Sequence, residues 1–469
     1  MTRQGSPGAA ADTDAPTRRL ASFVAAARTT DFDARTRHRA IYHTLDTVGA
    51  LISGAIQDTT LTTLRAIEAT GASGDIPVPG QSARFDLLNA ALLAGTAGHG
   101  LEVDDGYRAG SVHPGTVIVP AALAAAWQTG VDGPTFLKAI IAGYEVMCRL
   151  SAAVHPRARW RGFHNTPVTG VFGAAAVWAV IQGMDQEQVE NAFGAACSEA
   201  SGLFTFLHGG EVKRLHAGFA ARSGLFAGIL AESGLAGPKG CLESRDGFFH
   251  AYAGGDTEEL DYSGIDILAK GNGSPFAITE CYIKPHACCR HIHAPIDALQ
   301  GLMRENALGC DEIASIHVAT YRVAAAHDLR NWESFTSAQM SIPFVMATVA
   351  RHGRADVDLF SPAHRADPDA AELAGRISVG VDAQCDSAYP AARPARVDVT
   401  LRDGRQLSQR IDHPYGAPAN PLDDDALQSK FQSLAGLVFD EARSRDIATA
   451  IWRLEDVADM RPVVEMLTL

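Results

Sequence analysis

Pro134–Leu150 reads PTFLKAIIAGYEVMCRL, and its apolar residues recur with the period of an α-helix. Phe136, Leu137, Ile140, Ile141, Tyr144 and Met147 line one broad face, and Pro134 stands where a first-turn proline belongs. That face predicts a core helix, with Tyr144 and Met147 as packing residues. The same grammar extends in both directions. In RHRAIYHTLDTVGALISG, Ile41, Leu45, Val48 and Ile52 form a helical stripe. Asn165-Thr166-Pro167 opens another helix that stops at Gly183, and Asp185 with Gln188 spells a capping box. LHAGFAARSGLFAGILAESG carries small residues at 217, 221, 224 and 228, which allow close approach of a neighbouring helix, and Gly234 ends it.

The pattern changes after about residue 270. Ile316, Val318 and Thr320 alternate, as do Ile377, Val379 and Val381, and then Val397, Val399 and Leu401. Asp403-Gly404 is a hairpin signal, with Leu407 and Ile411 on the return strand. Helical segments are expected near 293–307 and 336–352. The chain is thus expected to be mainly α: a helical domain over 18–272 plus 412–469, and an inserted α+β lid over 273–411. The tail is expected to pack back on the first domain, with a cleft between the two as the ligand site. Residues 1–17, small, polar and rich in Pro and Gly, read as a disordered tail and not a targeting segment.

At 469 residues two or three domains are expected, and 46% hydrophobic with 20% charged residues is a globular composition. A net charge of −14 with no basic stripe argues against nucleic acid. No apolar run reaches bilayer length. Eight scattered cysteines without a CxxC pair read as reduced thiols, so a cytoplasmic location is expected.

Chemistry concentrates in four places. His99–Pro120, HGLEVDDGYRAGSVHPGTVIVP, sets Glu102, Asp104, Asp105, Tyr107 and His113 between apolar segments. Ionisable groups in such a setting are costly unless paired or used. GFHNTP places His164 just before a helix N-terminus, which lowers an imidazole pKa and attracts anions. GGEVKRLHAGFAAR sets Lys213 and His216 at a helix start, and ECYIKPHACCRHIHAPIDAL groups Lys284 with histidines and a Cys-Cys pair. Cys288, Cys289, His286, His291 and His293 lack zinc-type spacing, so no metal is expected. The sequence holds no dinucleotide fingerprint, phosphate loop or nucleophile elbow, so no cofactor is expected.

The order Asp-Asp loop–HPG, GFHxTxxxGxFGAA, KRLHAGxAARxG and KP–CCR–H–IDA resembles the MmgE/PrpD family, in register from about residue 20 to 455. That family includes 2-methylcitrate dehydratases, cis-aconitate decarboxylases and iminodisuccinate epimerases. The resemblance implies a helical domain with an inserted α+β lid, a homodimer and no cofactor. It carries active-site roles to Asp104, His113, His164, Lys213 and Lys284, and more weakly to His293. Glu102 in place of Asp, Gly106-Tyr107 in place of Thr-Trp, His286-Ala287 in place of aromatic-Pro, and Phe344 in place of Tyr weigh against decarboxylation of cis-aconitate.

The expected reaction is therefore that of a lyase on a small di- or tricarboxylate, a 2-methylcitrate dehydratase-like hydro-lyase. Decarboxylase-like and epimerase-like enzymes are the alternatives, and a carboxylate-binding protein the non-enzyme one. His113, His164, Asp104 and Lys213 are the expected catalytic residues; Lys284, Asp105, His293, Glu102 and Tyr107 are the expected substrate contacts. His113 and His164 would act as base and acid, with Asp104 orienting one imidazole.

Overall fold

The computed structural model describes residues 15–255, 260, 262, 265 and 275–469. Among the described residues it is mainly helical, with a two-stranded and a four-stranded sheet. The chain divides into two compact units. The first comprises residues 1–100, 104–281 and 427–469; the second comprises 101–103 and 282–426. The second unit thus begins at Tyr282 and runs to Ala426, later at both ends than the strand grammar suggested, and it takes in the short segment Leu101–Val103. Residues 1–14 of the expected tail lie outside the described residues, and its last two, Pro16 and Thr17, already belong to a helix, Pro16–Ala27.

The first unit is built on helices whose ends are written locally. Asp132 caps Gly133–Val154 by accepting from the Thr135 N–H at 2.8 Å. Asn165–Gln182 stops at Gly183, which takes the left-handed conformation. Asp185 and Gln188 form the capping box of Gln186–Glu199. Gly115–Thr129 and Asn165–Gln182 are buried on nearly every side, the mark of helices inside a core.

Val212–Glu232 packs by its small residues. A Cβ on Gly218 would sit 2.2 Å from the Leu92 carbonyl of helix Leu87–Gly98, one on Gly95 would sit 2.7 Å from Gly218 Cα, and one on Gly224 would sit 2.3 Å from the Val171 carbonyl. The small-residue face is therefore spent inside the chain, with backbone against backbone. The close approach of a neighbouring helix expected from these residues is thus made within the chain.

The second unit holds a four-stranded sheet in the order 377–381, 313–320, 395–401, 406–411. The first pair is parallel, with Ile316 opposite Ile377; the others are antiparallel, with Val318 opposite Val397. Burial alternates along Ala395–Leu401, and Asp403-Gly404 makes the hairpin turn, with Gly404 at φ 91°. Helix His293–Glu305 belongs to this unit. The helix expected over 336–352 is two, Phe335–Gln339 and Ile342–His352, because Ser341 caps the second by accepting from the Phe344 N–H.

Candidate active site

The loop from His99 to Pro114 joins two apolar helices, and its consecutive acids have separate partners. Asp104 is buried, and its Oδ2 lies 2.9 Å from His99 Nδ1 and 3.0 Å from His113 Nδ1. The Asp105 carbonyl oxygen lies 2.8 Å from that same His113 nitrogen. Both neighbours of His113 Nδ1 are acceptors, so Nδ1 carries the proton. In the neutral ring the lone pair is then on Nε2, and the side chain keeps 17% exposure. His113 is thus an oriented, partly exposed imidazole whose basic atom is Nε2.

His99 also points Nδ1–H at Asp104, but it is fully buried and its Nε2 has no hydrogen-bond partner among the described residues. Burial lowers its pKa to about 3, against the pull of Asp104. The ligand-type atoms of His99, Asp104 and His113 all lie within 4.8 Å of one another. His99 donates its Nδ1–H to this carboxylate and His113 donates its own to the adjacent Asp105 carbonyl, which accounts for that approach, and a metal would need the nitrogen lone pairs those protons occupy.

His164 precedes Asn165–Gln182 at its N-cap position and does not cap it. Its Nδ1 faces His216 Nδ1 at 2.8 Å, so one ring donates and the other accepts. The pair therefore carries one N–H between the rings, an N–H on the far nitrogen of the accepting ring, and a lone pair on that of the donor. Burial drives His164 well below its ordinary pKa, helped by His99, His216 and Lys213. Burial and Lys213 bring His216 to about 4. Phe204 and Phe206 pack edge-on against His164 at centroid distances of 5.0 and 5.3 Å. The ring of His99 lies 5.0 Å from that of His113 and 6.2 Å from that of His164, so the four imidazoles form one chain of neighbours.

Backbone and side-chain bonds lock this cluster. Thr166 Oγ1 accepts from the His113 N–H at 3.3 Å, Asn165 donates to the Gly110 carbonyl at 2.9 Å, and Arg214 donates to the His99 carbonyl at 2.9 Å. Asp104, His113 and His164 are thereby brought together, and the Lys213 charge acts on His99, His164 and His216. His99 and His216 join them, although sequence reasoning gave neither a role. The available signals were slight: His99 lies five residues before Asp104, and His216 follows Lys213 on the same helix turn.

Three expected substrate contacts have other tasks. Asp105 receives the Tyr144 hydroxyl at 2.8 Å on Oδ2 and the Gly115 N–H at 2.9 Å on Oδ1, and His43 Nδ1 lies 3.0 Å from Oδ2. With both oxygens used and no exposure it is a structural brace, not a ligand contact. Tyr107 is buried and its hydroxyl accepts from Arg149 at 3.3 Å, which also removes it from the substrate contacts.

In the second unit, His293 has Nδ1 2.9 Å from Arg290 and Nε2 3.3 Å from the Cys288 carbonyl. An arginine only donates and a carbonyl only accepts, so both nitrogens are committed and His293 is a scaffold residue. Lys284 is almost fully buried, with its ammonium 3.4 Å from Glu102 Oε2. Glu102 itself is in the left-handed conformation at φ 57°. That geometry turns its carboxylate to the lysine within the same unit.

A helical scaffold that holds linked, mostly uncharged imidazoles beside a buried carboxylate and an ammonium has the groups that proton transfer beside an anion requires. Two family models match the chain: the MmgE/PrpD N-terminal domain over residues 18–261 and the MmgE/PrpD C-terminal domain over residues 286–456. The chain belongs to the MmgE/PrpD family. It is 28% identical to a cis-aconitate decarboxylase-like protein, oryM, of Aspergillus oryzae, over 96% of this chain and 97% of that one. It is 27% identical to a cis-aconitate decarboxylase of Aspergillus terreus, over 94% and 93%, and 25% identical to the cis-aconitate decarboxylase of Homo sapiens, over 81% and 79%. No described helix is long and apolar enough to cross a membrane.

Proposed function

We propose that the chain is a lyase that moves a proton at a carbon next to a carboxylate of a small di- or tricarboxylic acid, without a cofactor. The observation that carries this reading is His113 set with Nδ1 3.0 Å from the Asp104 carboxylate and hydrogen-bonded to the Asp105 carbonyl, which leaves Nε2 as the atom for proton exchange. Such a ring gives or takes a proton at one defined atom. Lys213 supplies charge for a substrate carboxylate and for the enolate-like density that develops as the C–H bond forms or breaks.

Decarboxylation of a cis-aconitate-like acid is the leading form of the reaction, supported by relatives of that name along nearly the whole chain. The bond to the allylic carboxylate breaks, carbon dioxide leaves, and its electron pair becomes a new exomethylene bond. The displaced π pair takes one proton at the carbon beside the other carboxylate. His113 as imidazolium delivers that proton, and solvent restores it. Dehydration of a 2-methylcitrate-like hydroxy acid is the second reading. It is favoured by the His164–His216 pair, which keeps an N–H able to protonate a leaving hydroxyl.

Proton NMR in deuterated buffer with EDTA separates the two. The panel holds cis-aconitate, 2-methylcitrate, citrate and iminodisuccinate. Decarboxylation yields an exomethylene pair and one deuterium in the adjacent methylene; dehydration of 2-methylcitrate at its methine turns the methyl doublet into a vinylic methyl singlet, that of citrate yields a vinyl proton, and neither releases carbon dioxide. Exchange at an α-carbon without net conversion identifies an epimerase instead, and binding without exchange or turnover refutes the enzymatic reading. The homodimer that the family resemblance implies is part of the same proposal and is tested by light scattering.

A further inference from the structure

Cys289, His291 and His327, all in the second unit, converge with their potential ligand atoms within 4.8 Å of one another, and each is half-buried. Sequence spacing had discounted the Cys-Cys segment, and it omitted His327 altogether. The structure separates the two cysteines: Cys288 is fully buried, with burial pushing its thiol well up, whereas Cys289 faces His327. Cys289 Sγ lies 3.8 Å from His327 Nε2. Sulfur and nitrogen bound tetrahedrally to one zinc ion, at about 2.3 and 2.0 Å, lie roughly 3.6 Å apart.

The surrounding bonds fit ligation. His327 Nδ1 lies 3.1 Å from the Met340 carbonyl, so it bears the proton and leaves the Nε2 lone pair toward sulfur. A backbone carbonyl on the far nitrogen is the usual outer partner of a metal-bound imidazole. His291 has its own: Nδ1 is hydrogen-bonded to the Tyr321 hydroxyl, and Tyr321 is fixed by stacking on Tyr389 with centroids 4.6 Å apart. The Cys289 backbone N–H donates to the Gln339 carbonyl at 3.0 Å, which fixes the thiol's approach. Arg393 opposes a cation here, since its charge also acts on His291 and Cys289. One thiolate and two neutral imidazoles then favour a soft ion held by covalent character over a hard one held by charge.

We propose that Cys289, His291 and His327 form a binding site for a thiophilic divalent ion, zinc above all, with the fourth position open to water or another small ligand.

The test uses the full chain stripped with EDTA, titrated by calorimetry with zinc and, separately, with cobalt(II) followed by absorption. The expected result is one zinc per chain and a thiolate-to-cobalt charge-transfer band. Cys289→Ser removes the band, His327→Gln weakens zinc binding more than tenfold, and Tyr321→Phe weakens it about tenfold through its outer partner. His113→Gln leaves the band in place, because the His99–Asp104–His113 group contains no sulfur. A measurement on the unaltered protein guards against variants that fold poorly: saturating zinc protects Cys289 from iodoacetamide, read by mass spectrometry of the peptide. A missing band, a band that survives Cys289→Ser in folded protein, or alkylation of Cys289 at the same rate with and without zinc overturns the site.

Discussion

Asp104 and Asp105 are neighbours in the chain, equally buried, and their carboxylates have opposite fates. Asp105 is saturated: Tyr144, Gly115 and His43 converge on its two oxygens, tying three helices of the first unit together. Asp104 gives one oxygen to two imidazoles, and one of those, His113, reaches the surface of the unit. The first arrangement consumes a charge to fix a fold. The second stores a charge next to an atom that can exchange a proton. Position in sequence and depth of burial do not separate the two roles; what separates them is whether the chain of hydrogen bonds ends on a closed or an open atom.

The largest effect expected from breaking this contrast is on turnover. His113→Gln should lower kcat by about 10²–10⁴-fold, the usual worth of a general acid or base, with little change in thermal unfolding. A near-normal kcat would move the proton step elsewhere. Asp105→Ala should instead cost roughly 3–5 kcal/mol of stability in urea unfolding, because buried donors and a buried imidazole lose their acceptor. If that variant unfolds like the parent and loses activity alone, the two acids have been assigned the wrong way round.

A smaller effect lies in pH. Burial keeps His99 uncharged down to about pH 3 and His216 to about pH 4, whereas in the unfolded chain histidine protonates near 6.5. Between those limits the unfolded state binds more protons, so stability falls as pH drops from 6.5 toward 3–4. His99→Gln, whose amide can still donate to Asp104, should flatten that acid limb in denaturation curves taken from pH 7 to 4. An unchanged slope would mean that His99 is not held neutral. The smallest effect is at Tyr107→Phe, where Arg149 keeps bonds to Glu145, Glu280 and the Pro275 carbonyl. About 1 kcal/mol of stability should go, with KM unchanged; a raised KM would restore Tyr107 to the substrate site.

Helix ends were readable because they are set by local chemistry: Pro134, Asp185 with Gln188, and Gly183 each act within a turn of where they stand. The Asp403-Gly404 turn is local in the same sense. The site was legible only as an inventory. Residue types at His113, His164, Asp104 and Lys213 announced proton chemistry, but nothing in sequence says which polar atoms are already taken. Tyr144 from a distant helix fills Asp105, Arg149 engages Tyr107, and Arg290 with the Cys288 carbonyl closes both nitrogens of His293. His99 and His216 were passed over for the converse reason. A single histidine in an apolar helix looks like packing until the fold sets another ring beside it. The small residues of Val212–Glu232 were correctly seen as a contact face, while their partner, the helix Leu87–Gly98 of the same chain, could come only from the fold.

That last contact reaches further than packing. The helices carrying His99 and Lys213 touch main chain to main chain at Gly95 and Gly218, with no side chain between them to grow, shrink or change rotamer. The spacing from ammonium to imidazole is therefore set by a hard stop and not by the composition of the core. Drift in neighbouring apolar residues leaves that spacing alone, so under the proposed function a change of substrate would have to be written in the loops.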